Sequence, residues 1–223
     1  MKSLGCERSL QLFAPATWTA HTVSASCDAV YPGLRPTGSW LLHPDGELRG
    51  LDPDGEGWRD RDSAEPIDLR GRKFVLAYGS NAATAKLLKR EDKKGFLSGE
   101  PVIALSAAVF GWAAVWCDAR REGDDSVVAT LAPLPDRVEV HPVFALTGDQ
   151  VSAMDSWEGH PSVYERTVLE APVLWESGRW AEEVIEVYLG TRKKRPALEL
   201  DGSVVLLADV GYDEIADHVE PNP

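Results

Sequence analysis

Short apolar runs that predict β-strands dominate the pattern of hydrophobic and polar positions in this chain. Runs rich in Val, Ile, Leu and aromatic residues are bounded by Gly, Pro, Asp or Asn, as is typical of strands separated by turns. We expect strands over residues 74–78, 102–116 (broken by Gly111), 126–131, 138–146, 164–174 and 181–189, then a closing strand or turn over 204–208 and a short helix over 212–219. Strands outnumber helices and do not alternate with them regularly. The pattern therefore predicts an α+β fold with a mixed, curved or barrel-like sheet and a few peripheral helices.

Two further stretches have the spacing of helices. One covers residues 84–94, and the other begins at Thr147 or Asp149, either of which can cap a helix N-terminus. In the second helix, three apolar residues recur at every third position and can face the core: Val151, Met154 and Trp157. Glu158 is then expected at the end of this helix.

The first 70 residues differ from the rest in their density of turn residues. Pro, Pro-Gly and Asp-Gly recur there, which favours turns and short strands. Residues 39–42 and 47–51 flank Asp45-Gly46 and predict a β-hairpin. The tryptophans of this part indicate that it packs on the remainder of the protein. We therefore expect an N-terminal extension over residues 1–70 and a main domain over residues 71–223.

Composition and charge narrow the classes of function. The chain has 223 residues, 43% of them hydrophobic and 26% charged, which suits a globular protein with a sizeable core. Its formal net charge of −13 argues against nucleic acid or an anionic membrane as the main partner. We expect the basic residues within 86–94 and at 192–195 to be solvated surface groups. The sequence predicts no particular oligomeric state.

The cysteines and histidines do not have the spacing of a metal site. Cys6, Cys27 and Cys117 cannot all pair within the chain and are expected to be structural, while the five histidines are scattered. The N-terminus does not resemble a leader sequence, and no apolar run approaches the ~18 residues that a membrane span needs. We therefore expect a cytoplasmic protein without a metal ion.

The most informative stretch is the apolar run over residues 74–78 that stops at Gly79, Ser80 and Asn81. A turn of this kind leaves several backbone N–H groups directed at one place near a helix N-terminus, where they can hold a carboxylate or another anion. Taken alone, the same residues could form only a strand-to-helix turn in which Ser80 or Asn81 caps the helix.

Glu158 supplies a carboxylate suited to proton transfer, and with the loop it suggests an enzyme that acts on a small molecule. Taken alone, Glu158 could equally be a surface carboxylate before a helix-ending Gly159. A serine hydrolase lacks support because no Gly-x-Ser-x-Gly sequence occurs.

The two segments together resemble a known family. Tyr78-Gly79-Ser80-Asn81 after an apolar strand, followed in order by Asp155-Ser156-Trp157-Glu158-Gly159 and by Tyr164, resembles the gamma-glutamylcyclotransferase-like proteins. The resemblance extends over roughly residues 73–191. The chain departs from it in the ~70 residues before the loop and in Met154, where an aliphatic residue is more usual.

The resemblance implies a reaction within one substrate molecule that carries a γ-glutamyl group. The α-amine attacks the γ-amide carbonyl, an amine leaves, and 5-oxoproline forms without a metal or cofactor. Glu158 would move the proton between the two nitrogens. The backbone of Gly79, Ser80 and Asn81 would bind the α-carboxylate or the oxyanion, with Gly79 leaving room for the ligand. Tyr78 and Tyr164 would line the pocket and could hydrogen-bond the substrate or Glu158.

Other functions remain compatible with these residues. The pocket could belong to a non-catalytic binding or assembly module of the same fold, or to an amide hydrolase or acyltransferase. His160 could tune Glu158 or could simply be exposed in its loop. The long extension favours a specialised substrate.

Overall fold

The computed structural model describes residues 12–13, 18–25, 31–97 and 99–220, without the side chains of 91–94. The strands are β1 (His21–Thr22), β2 (Ser39–Leu42), β3 (Glu47–Asp54), β4 (Gly57–Asp60), β5 (Lys73–Leu76), β6 (Val102–Arg120), β7 (Val127–Leu146), β8 (Tyr164–Val168), β9 (Val173–Trp175), β10 (Ile185–Gly190), β11 (Glu199–Leu200) and β12 (Ser203–Val204). The helices are α1 (Thr84–Lys94), α2 (Gly148–Glu158) and α3 (Tyr212–Ala216), and a 3-10 turn spans Ser80–Ala82.

One large mixed sheet organises the fold. Its strand order is β1-β3-β2-β6-β7-β5-β10-β8, with β4 paired to β3 and β9 paired to β6, while β11 and β12 form a separate hairpin. Within it β5 and β10 are parallel, and the other neighbouring strands are antiparallel. The path is open at both ends, so the sheet does not close into a barrel among the described strands. The predicted α+β fold with a mixed sheet and a few helices is confirmed.

The two faces of the sheet bury different apolar clusters, and β5 contributes to both. Val75 and Ala77 pack into the cluster that contains residues of α1 and α2. Leu76 and Tyr78 point to the other face, where they join Trp58 and Trp175. This alternation is the expected period of a strand with both faces buried. A third cluster, which includes Trp116, packs the outer part of the β6–β7 hairpin against the C-terminal segment.

The predicted separation of residues 126–131 from 138–146 is wrong, because both belong to the single strand β7. A proline usually ends a strand, yet Pro133 lies opposite Trp112, beside an irregularity of the ladder between Phe110 and Trp112. Gly111 has φ +79° there and forms the bulge. A bulge tolerates a residue without an N–H donor, so the proline does not end the strand. Strand β6 likewise continues beyond residue 116, to Arg120.

The predicted single strand over residues 164–174 is also wrong. Its first part, β8, pairs with β10, whereas its last part, β9, pairs with β6 in another region of the sheet. The chain turns between them, before and at Pro172, since a residue preceding proline is restricted. Of the predicted strand over 181–189, only the part from Ile185 onward is a strand, and this strand, β10, continues to Gly190. Over 204–208, where a closing strand or turn is expected, the β11–β12 hairpin ends at Val204 and a turn follows at 207–209. The short helix expected over 212–219 is present as α3 and ends at Ala216.

The N-terminal hairpin is confirmed and belongs to the main sheet. β2 pairs with β3 on one side and with β6 on the other, where Trp40 lies opposite Ala104. Trp40 and Trp58 are both buried. Among the described residues, no helix has the length and apolar character needed to cross a bilayer.

Candidate active site

The candidate site lies at the sheet edge where β5 and β10 end. Because these neighbouring strands are parallel, their carboxyl ends meet at one edge, and the antiparallel strand β8 begins there. A pocket of about 500 Å³ opens at this edge, a volume common for small-molecule sites. Residues 76–81, 156–159 and 162–164 line much of its wall. The topology therefore brings together the segments that the sequence analysis singled out.

Glu158 is positioned by helix α2. Thr147 accepts a hydrogen bond from the backbone N–H of Gln150, and the Gln150 side chain accepts one from the Thr147 N–H, which fixes the start of the helix. Gly159 ends it at φ +64°, and a Cβ added there would lie 2.9 Å from Val163. Thr147, rather than Asp149, is thus the cap, and Glu158 ends the helix as predicted.

Glu158 and Asn81 contact each other directly inside the pocket. The side-chain amide of Asn81 donates a hydrogen bond of 2.6 Å to Oε1 of Glu158. No other hydrogen bond to this carboxylate comes from the described residues, so Oε2 is available to a ligand. Two segments 77 positions apart therefore meet at one charged group.

The surroundings of Glu158 favour its neutral form more than water does. Burial raises the pKa of Glu158 above its ordinary value, and the hydrogen bond from Asn81 and the positive charge of Arg90 partly oppose this rise. Part of the side chain is accessible to solvent, because the pocket opens above it, although protein atoms surround the group on its other sides. A carboxylate in this environment can exchange a proton nearer to neutral pH than an exposed one.

The loop after β5 differs in one respect from its prediction. Residues 80–82 form a 3-10 turn, Ala83 is extended, and α1 begins only at Thr84. The N–H groups of Ser80 and Asn81 precede the first hydrogen-bonded turn, and within the described part of the chain they have no acceptor. Anion binding here would therefore rest on these loop N–H groups and not on the dipole of a long helix.

Tyr78 and Tyr164 line the pocket, but their hydroxyls donate hydrogen bonds to backbone carbonyls. The Tyr78 hydroxyl donates to the carbonyl of Tyr188, and the Tyr164 hydroxyl donates to the carbonyl of Ala129 at 3.0 Å. Neither of these two hydroxyls forms the hydrogen bond to Glu158 that the sequence analysis considered. Both tyrosines thus fix the strand ends around the pocket, and burial raises both of their pKa values.

Basic side chains that the sequence analysis assigned to the solvated surface line the pocket. They are Arg90, Lys194 and Arg195, joined by Arg121 near the tip of the β6–β7 hairpin. Arg195 is only 8% exposed, and its Nε has no hydrogen-bond partner among the described residues. Arg90 lies 4.4 Å from the centre of the Trp157 ring, over its face. The pocket of this acidic protein therefore suits an anionic ligand.

His160 lies outside the pocket wall. Its Nδ1 accepts a hydrogen bond of 3.1 Å from the backbone N–H of Arg166. The Arg166 guanidinium in turn contacts Asp155 at 2.9 Å, and Asp155 accepts a hydrogen bond from the Tyr188 hydroxyl. These contacts hold the last turn of α2 against β8 and β10. His160 therefore helps to position Glu158 but does not contact it.

Cys117 is buried, and burial raises the pKa of its thiol to about 12, as expected of a structural cysteine. Cys6 and Cys27 lie outside the described residues. Within those residues, no group of three or more His, Cys, Asp or Glu side chains is arranged to hold a metal ion.

No model of a known protein family and no curated protein sequence matches this chain. Among solved structures, it is similar to a gamma-glutamyl cyclotransferase at 16% identity, over 55% of this chain and 68% of the other, with a TM-score of 0.43. An uncharacterised protein from Homo sapiens is 18% identical over 69% of this chain and 90% of its own, with a TM-score of 0.45. An AIG2-like protein from Mus musculus is 15% identical over 69% and 97%, with a TM-score of 0.38. The first of these structures bears the name of the family that the sequence motifs resemble.

Proposed function

We propose that this protein is a γ-glutamyl cyclotransferase that releases an amine from a small γ-glutamyl amide and forms 5-oxoproline. The observation that carries the proposal is the contact between Asn81 of the loop and Glu158 in one pocket, where burial raises the pKa of the carboxyl group.

The chemistry needs one proton shuttle and a curled substrate. The substrate reacts with its α-amine in the free-base form, after the ammonium group has released one proton to solvent, and this amine attacks the γ-carbonyl carbon. The new C–N bond closes a five-membered ring whose nitrogen is positively charged, and Glu158 takes a proton from it. Glu158 then gives this proton to the leaving nitrogen as the amide C–N bond breaks, so that 5-oxoproline and the free amine are released. General acid–base assistance of this kind contributes about 10²–10⁴-fold in rate. Holding the reacting groups together supplies a further part of the acceleration.

The loop and the basic residues suit the negative charges of such a substrate. The N–H groups of Ser80 and Asn81 would hold the α-carboxylate or the oxyanion on the γ-carbon, and one such donor contributes roughly 3–4 kcal/mol to the transition state. Arg90 and Arg195 would attract carboxylates of the substrate, since neither guanidinium forms an ion pair with a carboxylate of the described residues.

Two other functions use the same pocket and differ in their products. Hydrolysis would give free glutamate, and transfer to an external amine would give a new γ-glutamyl amide. A binding module would give no product. The open volume of about 500 Å³ favours a ligand-accessible site, because the described part of the N-terminal segment does not fill it.

Product analysis with a panel of γ-glutamyl amides in H₂¹⁸O tests the proposal. We expect 5-oxoproline without ¹⁸O together with the free amine, because water takes no part in ring closure. Free glutamate carrying one ¹⁸O would establish hydrolysis instead. Binding of the amides without any product would identify a binding module.

A further inference from the structure

A short segment from the N-terminal part of the chain covers the loop after β5. In this segment, here called the strap (residues 31–35), Arg35 donates a 2.7 Å hydrogen bond to the carbonyl of Tyr78. Gly33, at φ +93°, packs so closely that a Cβ there would lie 2.8 Å from the Ala83 Cβ. The Tyr31 hydroxyl lies 3.1 Å from the place where a Cβ on Gly79 would be. Gly79 thus leaves room for a tyrosine of the strap.

The hydroxyl of Tyr31 is held in place and retains a free donor. It accepts a 2.9 Å hydrogen bond from the backbone N–H of Ala129, and within the described part of the chain its own proton has no acceptor. The ring is fixed by contacts with Trp116 and Tyr212, whose centres lie 5.5 Å and 6.3 Å away. Tyr31 also lines the same pocket as Glu158.

We propose that Tyr31 binds the substrate: its hydroxyl donates a hydrogen bond to the carboxylate or oxyanion held by the loop at Gly79, Ser80 and Asn81. This inference rests on the proposed function and adds a donor from the strap to the site. A donor fixed by packing loses little entropy on binding, which makes such a contact effective. The pocket is therefore complete only when the strap is in place.

The charge state of Tyr31 agrees with this role. Burial raises the pKa of its hydroxyl well above the ordinary value of tyrosine, against the opposing effects of the Ala129 hydrogen bond and of Arg35 and Arg121. The phenol is thus protonated at neutral pH and can donate to an anion.

The test separates ligand binding from turnover. Glutarate, which has the two carboxyl groups of the glutamyl chain but no amine, is titrated calorimetrically into the wild type, Tyr31→Phe and Tyr212→Phe. We expect about tenfold weaker glutarate binding and about tenfold higher KM in Tyr31→Phe, because one hydrogen bond to a charged group is lost. Tyr212→Phe, which alters the same aromatic cluster outside the pocket wall, is expected to match the wild type. A purely structural role would lower the melting temperature and leave the glutarate Kd unchanged.

A second variant covers the case in which Tyr31→Phe does not fold. Gly79→Ala keeps the tyrosine and inserts a methyl group 3.1 Å from its hydroxyl, so weaker glutarate binding is expected there too. An unchanged Kd in the folded variants, or no binding of glutarate to the wild type, overturns the inference. If Tyr31→Phe weakens glutarate binding but the wild type forms no 5-oxoproline, the proposed function fails and the role of Tyr31 in binding stands.

Discussion

At the scale of single residues, the state of Glu158 depends on opposing effects. Removal of solvent from around the carboxyl group raises its pKa, while the Asn81 amide and the guanidiniums of Arg90, Arg121 and Arg195 stabilise the charged form. The effect of burial is the larger one. The result is a carboxylate that accepts a proton more readily than an exposed glutamate.

This balance predicts a pH dependence. Because the base must be deprotonated, kcat/KM should fall as the pH falls through the raised pKa of Glu158, above the range of an ordinary glutamate. Asn81→Ala removes a hydrogen bond that favours the charged form, so the acidic limb should move to higher pH. Profiles of kcat/KM against pH for both proteins measure the shift. A limb that stays in place, or moves to lower pH, contradicts this account.

Arg90 should act on substrate affinity. In Arg90→Gln we expect the KM of an anionic γ-glutamyl amide to rise about three- to tenfold, as for a loss of ~1 kcal/mol from one partly exposed charge. Lys73→Gln is the matched control, because it also removes one positive charge. Lys73 lies at the start of β5, whereas the pocket lies beyond the other end of this strand. Steady-state kinetics of the two variants decide the matter, and equal KM values would refute a role of Arg90 in the pocket.

At the scale of elements, α2 is the part whose local sequence determines its structure most fully. The capping box and the left-handed Gly159 set its two ends, and both signals lie within a few residues of those ends. Helix ends that are set by such nearby residues can be predicted from sequence. The C-terminal end of α2 in turn determines where Glu158 lies.

The cap gives a stability prediction. Thr147→Ala should lower the free energy of unfolding by about 1 kcal/mol, because it removes the acceptor for the Gln150 N–H. Ser152→Ala, which removes an exposed hydroxyl within the same helix, should change it by less than about 0.5 kcal/mol. Urea unfolding curves measure both changes. Equal losses in the two variants would show that the cap does not stabilise this helix.

The wrongly predicted strand boundaries have a different origin, because pairing with distant strands of the sheet determines where a strand begins and ends. Pro133 looks like a strand end in the sequence, but the bulge at Gly111 lies some twenty residues earlier in the chain. Residues 164–174 look like one strand, although their two halves pair with β10 and β6. The pattern of residues around Pro133 or within 164–174 does not identify the distant strands with which these residues pair.

At the scale of the whole molecule, the site combines local motifs with distant residues. The motifs around Gly79 and Glu158 could be predicted because a strand end and a helix end have recognisable local patterns. Arg90, Arg195 and Tyr31 could not be predicted, because only the folded chain brings these scattered residues to the pocket. Their local sequences look like ordinary surface or loop.

The N-terminal strands give a prediction about the whole fold. A chain that begins at residue 71 loses β2, which pairs with β6, and the buried side chains of Trp40 and Trp58. We expect this truncated chain to melt at a much lower temperature than the wild type, or not to fold, and to bind a hydrophobic dye. Calorimetry of both chains checks this, and an equal melting temperature would show that residues 1–70 are dispensable for the fold.

The central claim is that Glu158 moves the proton in a pocket shared with the Gly79 loop. It is tested most directly by 5-oxoproline formation from a γ-glutamyl amide with the wild type, Glu158→Gln and the exposed-site control Glu165→Gln. We predict that Glu158→Gln lowers kcat about 10²–10⁴-fold with its melting temperature retained, and that Glu165→Gln matches the wild type. Equal rates of 5-oxoproline formation in the wild type and Glu158→Gln would contradict the claim.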